Sequence, residues 1–251
     1  MNRRSPPAPA TITGEEITNF YQVMPSKFKP VIKNPNKHLH GFDLPFRLIV
    51  CAPSGSGKTN FVANLLQLFS AGEGSFTDIL VLTKNSDEPI YNYLKEKAKG
   101  IVIKEGLGNN LPNLDKTEEK EDQKLIVLDD LVLEKNQTNI ESYFVRCRKF
   151  GYSIVYITQS WFRVPKTIRL NTSYVAILKI GSKRDLNLIL SEVSIGVSKD
   201  QLTHMYDFAT HKKMDVLLIH VEKPVSQKFH RNFLQVLNPE AFYDSVLGEN
   251  Y

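Results

Sequence analysis

Three groups of residues in this chain carry chemistry that depends on their order. The first is Ala52-Pro53-Ser54-Gly55-Ser56-Gly57-Lys58-Thr59, which follows the pattern G-x-x-x-x-G-K-[ST] with Ala52 at the first glycine position. Gly55 and Gly57 let the backbone curl so that successive N–H groups converge on phosphate oxygens. A helix opening near Lys58 aims its positive end at the same point. The Lys58 ammonium suits the β- and γ-phosphates of ATP, and the Thr59 hydroxyl suits Mg²⁺. Ala52 keeps the peptide N–H, so this departure preserves the cradle. The second group is Leu125-Ile126-Val127-Leu128-Asp129-Asp130, an apolar run closed by two acids. Asp129 is the candidate to hold hydrated Mg²⁺, and Asp130 the candidate to orient or deprotonate an attacking water. The third is Gln159, directly after Ser153–Thr158. An amide there can touch a γ-phosphate or the water that attacks it, because ligands bind outside the carboxyl ends of parallel strands.

Regular elements are needed to hold these groups. Residues 46–51 form a short apolar run ending at a Gly/Ser/Pro cluster, which reads as a buried strand. Phe61, Val62, Leu65, Leu66 and Phe69 repeat with helical spacing over 58–70. The pattern continues with a strand at 78–83, a helix at 87–98, a short apolar patch at 101–103 and a strand at 125–128. A helix follows at about 138–149, then strands at 153–158 and 174–180, and helices at 182–193 and 198–210. Near-continuous apolar strands alternating with helices predict an α/β fold, a mostly parallel sheet covered on both faces. Residues 214–221 and 229–237, with a polar turn around 224–227, predict a C-terminal antiparallel hairpin. The segment 104–124 is charged and turn-rich and reads as a mobile insertion. Residues 1–45 read as a flexible tail and irregular wrap, 46–237 as the folded domain and 238–251 as a second tail.

Composition sets wide bounds. The chain has 251 residues, 41% of them hydrophobic, enough for a sizeable core. No apolar run approaches the ~18 residues that span a bilayer, and no apolar stretch follows Arg3-Arg4 as in a secretory signal. Cys51 and Cys147 lack metal-ligand spacing and read as buried, reduced fillers. The net charge of +5 permits a polyanionic partner without demanding one.

The loop 52–59, the LIVLDD segment, Arg146–Arg148 followed by SIVYITQS, and VPKTIRLN together resemble the viral DNA-packaging ATPases of the FtsK–HerA superfamily. The likeness is to the compact forms in virophages, polinton-like viruses and large nucleocytoplasmic DNA viruses, and it covers roughly residues 46–180. It implies a P-loop NTPase of RecA/ASCE type, with LIVLDD as the Walker B strand. It also implies a homo-oligomeric ring that threads double-stranded DNA into a capsid by ATP hydrolysis. A capsid vertex protein is then a candidate partner, and the viral factory or virion, inside the cell, the location. In such rings a neighbouring subunit supplies an arginine finger, worth roughly a thousandfold in rate. Arg148, Arg146 and Arg169 are the candidates in that order. Arg146 and Arg148, two apart on one helix, are expected on different faces. Asp130 stands where many relatives carry a longer Glu, so its approach to water must be closer or bridged.

Two other readings stay open. One is a small-molecule or nucleotide kinase using the same loop; the other is a nucleotide-gated assembly protein. For DNA contact the sequence offers Lys27, Lys29, Lys33 and Lys37; Lys179, Lys183 and Arg184; and Lys212, Lys213, Lys223, Lys228 and Arg231. Trp161 and Phe162 read as core or interface anchors, and His38 and His40 as loop residues.

Overall fold

The structure, a computed structural model, describes residues 17–29, 31–98, 100–114, 122–134, 137–193 and 196–242. The chain divides into two compact units, Met1–Val31 and Ile32–Tyr251. The first contains the short helix α1 (Phe20–Val23) and a 3-10 turn at Ser26–Phe28.

In the second unit, α2 (Lys37–His40) precedes β1 (Arg47–Cys51), α3 (Lys58–Phe69), β2 (Asp78–Thr83), α4 (Pro89–Lys97) and β3 (Ile101–Glu105). Next come β4 (Lys124–Asp129), α5 (Gln137–Arg146), β5 (Tyr152–Thr158), α6 (Lys166–Leu170) and β6 (Tyr174–Ile177). The chain closes with α7 (Lys183–Val193), α8 (Lys199–Ala209), β7 (Leu217–His220), β8 (Phe229–Arg231) and β9 (Gln235–Val236). One sheet runs β3-β2-β4-β5-β1-β6-β7-β8-β9. The pairings from β3 through β6 are parallel, and β7, β8 and β9 are added antiparallel.

Side chains alternate across the strands and feed two cores. Leu48 and Val50 face a layer built from Phe61, Val62, Leu65 and Phe69 of α3 and Tyr91 and Leu94 of α4. Ile49 and Cys51 face the other side, where Ile140, Tyr143 and Phe144 of α5 pack with residues of α7 and α8. Helix α8 begins with a reciprocal capping box between Ser198 and Gln201, which satisfies two N-terminal donors. Cys51 and Cys147 are free and buried.

Several sequence expectations need correction. The patch 101–103 is the start of a parallel edge strand, β3, paired to β2 along Ile101–Glu105. In the segment read as an insertion, Leu107 and Leu114 are buried, so two isolated leucines anchor what charge density alone suggested was loose. Residues 115–121 of that segment lie outside the described residues. The expected hairpin is a three-strand extension of the main sheet, because 229–237 breaks at the turn around Asn232, whose φ is +56°. His40 is not a loop residue: it lies in α2 at 0% exposure and packs edge-on against Phe69 at 4.5 Å. Phe42, within the stretch read as irregular wrap, joins the same aromatic cluster together with Phe46 at the start of the domain.

Candidate active site

The three sequence groups meet at the carboxyl edge of the sheet because β5 lies between β1 and β4. Register pairs Cys51 with Thr158 and Asp129 with Ile157, so three adjacent strand ends, about 4.8 Å apart, present Ala52, Gln159 and Asp129–Asp130. Ala52 N donates to Thr158 O at 3.2 Å, which fixes where the loop leaves β1. Ser56 then turns back on Pro53, with both its N–H and its hydroxyl reaching the Pro53 carbonyl. Gly55 and Gly57 take φ of +73° and +98°, the left-handed region that favours glycine. Gly57 offers no capping side chain to α3, so the first-turn N–H groups stay directed into the loop. Lys58 is 8% exposed, and its Nζ donates to Pro53 O at 2.7 Å. Burial lowers its pKa while Asp129 and Asp130 oppose that shift. The ammonium therefore sits inside the loop, already facing the two acids.

Asp129 ends β4 at 6% exposure and accepts a hydrogen bond from the Tyr91 hydroxyl of α4. Burial raises its pKa, and the Tyr91 bond opposes the shift. Thr83, at the end of the neighbouring β2, is its register partner. At Asp130 the chain leaves the strand with φ +55°, a conformation in which aspartate is enriched among non-glycine residues. Gln159 Nε2 donates to Asp130 Oδ2 at 2.9 Å. Asp129 thus points inward beside Lys58, and Asp130 is held at the rim by the amide of the adjacent strand. Among the described residues no three His, Cys, Asp or Glu side chains cluster at metal-binding distance. A hydroxyl and a single buried acid instead match a hard cation whose other ligands are water and phosphate oxygens.

The arginines lie elsewhere. Helix α5 stops at Arg146, and Arg148 falls in a 3-10 turn at Cys147–Phe150. Both line one depression of about 420 Å³ with Lys149 and Phe150, and the helix on which their different faces were expected ends at the first of them. They precede β5 and Gln159 follows it; a strand of 7 residues puts roughly 20 Å between them. Arg169 donates to Val164 O and pairs with Glu192, which also accepts from Trp161 Nε1. Trp161 is buried, whereas Phe162 is exposed.

Residues 37–236, well over half the chain, match the family described as Poxvirus A32 protein. The chain belongs to that family. Its fold is shared with B204, the DNA-packaging ATPase of Sulfolobus turreted icosahedral virus (TM-score 0.56, 13% identity, 76% of this chain and 98% of that one). It is shared also with B204 of Sulfolobus turreted icosahedral virus 2 in complex with ATP-gammaS (TM-score 0.53, 12% identity, 78% and 100%). A third likeness is to ATPases 2 and 3 of EssC from Geobacillus thermodenitrificans (TM-score 0.53, 11% identity, 82% and 43%). A search of curated proteins gave no match. The A32-family chain thus has a P-loop ATPase fold with its motif residues on the expected edge.

Two members of the site escaped the sequence reading. Tyr91 reaches Asp129 from a helix whose apolar pattern gave no hint of a polar task. Met214 touches the loop from the far end of the chain: a Cβ built on Gly57 meets Met214 Cγ at 2.9 Å. No local signal announces either contact.

Proposed function

We propose that this chain is an ATP-driven motor that translocates double-stranded DNA into a viral capsid. The observation that carries the reading is the convergence of Lys58, Asp129 and the Asp130–Gln159 pair on one edge of a P-loop sheet, in a chain of the A32 family. The Gly55–Lys58 backbone and the Lys58 ammonium bind the β- and γ-phosphates, with Ala52, Pro53, Ser54 and Ser56 shaping the cradle. Thr59 and Asp129 hold Mg²⁺, which when bound supplies charge neutralisation on the phosphate oxygens. Asp130 accepts a proton from, or aligns, the water that attacks in line, and Gln159 fixes the rotamer of that carboxylate. Tyr91 prevents Asp129 from turning away.

The nucleotide-facing edge of one subunit holds no arginine of its own among Arg146, Arg148 and Arg169. In this reading a finger from the opposite edge, Arg148 before Arg146, acts on a neighbour's nucleotide in a ring, only one of the two at a given nucleotide. Arg169 is the weaker choice because its guanidinium is committed to Glu192. For DNA, Lys37, Lys179, Lys223 and Arg231 already pair with carboxylates and Lys228 is buried. Lys33, Lys183, Lys212 and Lys213 are exposed and better placed to track phosphates. A capsid vertex partner, and location in the viral factory or virion, follow from the same reading. No helix among the described residues is long and apolar enough to cross a membrane.

The test is steady-state ATP hydrolysis with and without long duplex DNA, for wild type and Lys58→Ala. DNA-stimulated turnover that disappears in the variant supports the motor. Turnover indifferent to DNA sinks DNA-coupled hydrolysis, and phosphoryl transfer to a nucleoside acceptor would replace the motor with a kinase.

A further inference from the structure

The phosphate loop has two flanks. On one side β5 and β4 bring Gln159, Asp130 and Asp129, and on the other lie β6 and then β7. A triphosphate seated in the loop must turn its γ-end toward Asp130 and Gln159, since water attacks there. Its α-phosphate, ribose and base consequently leave on the β6–β7 side. The segment that meets them is His211–Asp215, which joins α8 to β7.

Met214 is the residue of that segment seen to touch the loop. Its side chain lies against Gly57, and its Sδ is 3.3 Å from the Asn60 amide nitrogen, one residue beyond Thr59. The placement is not what a core filler shows. Met214 is 46% exposed and its φ is +73°, a left-handed conformation that costs a methionine energy and that glycine or asparagine would adopt readily. The neighbouring Asp215 explains how this backbone is held. Its carboxylate takes hydrogen bonds from Arg231 and Asn232 of the β8 end, and Asn232 Oδ1 accepts from Val216 N at 3.1 Å. The segment is therefore clamped from the C-terminal strands with an apolar, polarizable thioether on the open side of the loop. Such a group covers the face of a flat heteroaromatic ring well.

We propose that Met214 is the base-side wall of the nucleotide site, packing on the ribose and base of the bound nucleotide while Lys58 and the loop hold the phosphates. The proposal rests on the reading that the loop binds ATP, and the experiment separates the two. The 251-residue chain is titrated calorimetrically with ATP and with inorganic tripolyphosphate, both with Mg²⁺, for wild type, Lys58→Ala, Met214→Asn and Met214→Leu. Asparagine suits the left-handed backbone, so it removes the thioether without straining the fold; leucine keeps apolar reach.

The expected result is that Met214→Asn raises the Kd for ATP about four- to fifteenfold, the loss of roughly one to two methylene groups' worth of apolar contact. Its Kd for tripolyphosphate stays at the wild-type value, and Met214→Leu restores most of the ATP affinity. Equal weakening of both ligands would show a loop-packing role and overturn the proposal, as would unchanged ATP affinity. Lys58→Ala failing to weaken either ligand would instead sink the P-loop reading itself.

Discussion

Tyr91→Phe isolates one atom of the site. The ring stays packed between α4 and the sheet, and only the hydroxyl that donates to Asp129 is lost. Tyr91 is 2% exposed and Asp129 6%, so water does not readily replace the missing donor. Burial, with Asp129 beside it, pushes the phenol well above the usual tyrosine range, which keeps it a donor at any working pH. A hydrogen bond to a charged group contributes about 1.5–3 kcal/mol. Asp129 keeps the attraction of Lys58, so the low end, ~1.5 kcal/mol, is expected. At ~2–4 °C per kcal/mol for a chain of this size, the Tm of the nucleotide-free protein should fall by roughly 3–6 °C. The freed carboxylate also loses its aim, and removing a partner behind a metal ligand weakens metal use about tenfold or more. Thermal denaturation measures the first effect, and ATP hydrolysis titrated with free Mg²⁺ measures the second. A Tm within about 1 °C of wild type, together with an unchanged Mg²⁺ requirement, would refute the idea that this bond holds Asp129 in place.

Gly57→Ala should destabilise the chain by about 1–2 kcal/mol through its left-handed backbone and weaken ATP binding further by pushing on Met214. Gly55→Ala, with nothing within 4 Å of its added Cβ, should show the conformational penalty alone; calorimetric titration of both variants checks the order. Gln159→Ala releases Asp130 and should lower kcat roughly 10- to 100-fold while the Kd for ATP changes less than about twofold, read by turnover and equilibrium binding. Burial holds the His40 pKa at about 4, below the ordinary histidine value of 6.5. The unfolded chain therefore binds the proton first, and His40's contribution to stability is complete above about pH 6.5 and lost as pH falls toward 4. For a ring this buried, a pKa lowered from 6.5 to about 4 amounts to about 3 kcal/mol. Denaturant melts across that window should be steeper in pH for wild type than for His40→Gln.

What could be read early and what could not divides along the range of the interactions. The strand at 125–128 and the helix at 58–70 were legible because each buries a full face, and burial imposes its period on neighbouring residues. The edge strand β3 was not, since its pattern of alternating partial burial over five residues is too short and too polar to stand apart from a turn. The helix expected to run to 149 ends at Arg146 because the chain must tighten into a 3-10 turn, closed by Gly151 at φ +72°, before entering β5. His40 reads as a loop residue because Phe42 and Phe46 nearby show no regular period, and the ring that packs edge-on against it, Phe69, lies 29 residues away at the end of α3.

The phosphate loop, the acids at a strand end and the parallel α/β class are written in short stretches of the chain. Each of these depends on backbone freedom or on side-chain periodicity within about a dozen residues. Tertiary structure alone decided that β5 enters between β1 and β4, which is what joins Gln159 to Asp130. It alone brought Tyr91 to Asp129 and Met214 to Gly57, and tied Arg169 to Glu192. Those contacts bridge residues tens to more than a hundred positions apart, and strand order and helix packing, which no local pattern encodes, set them.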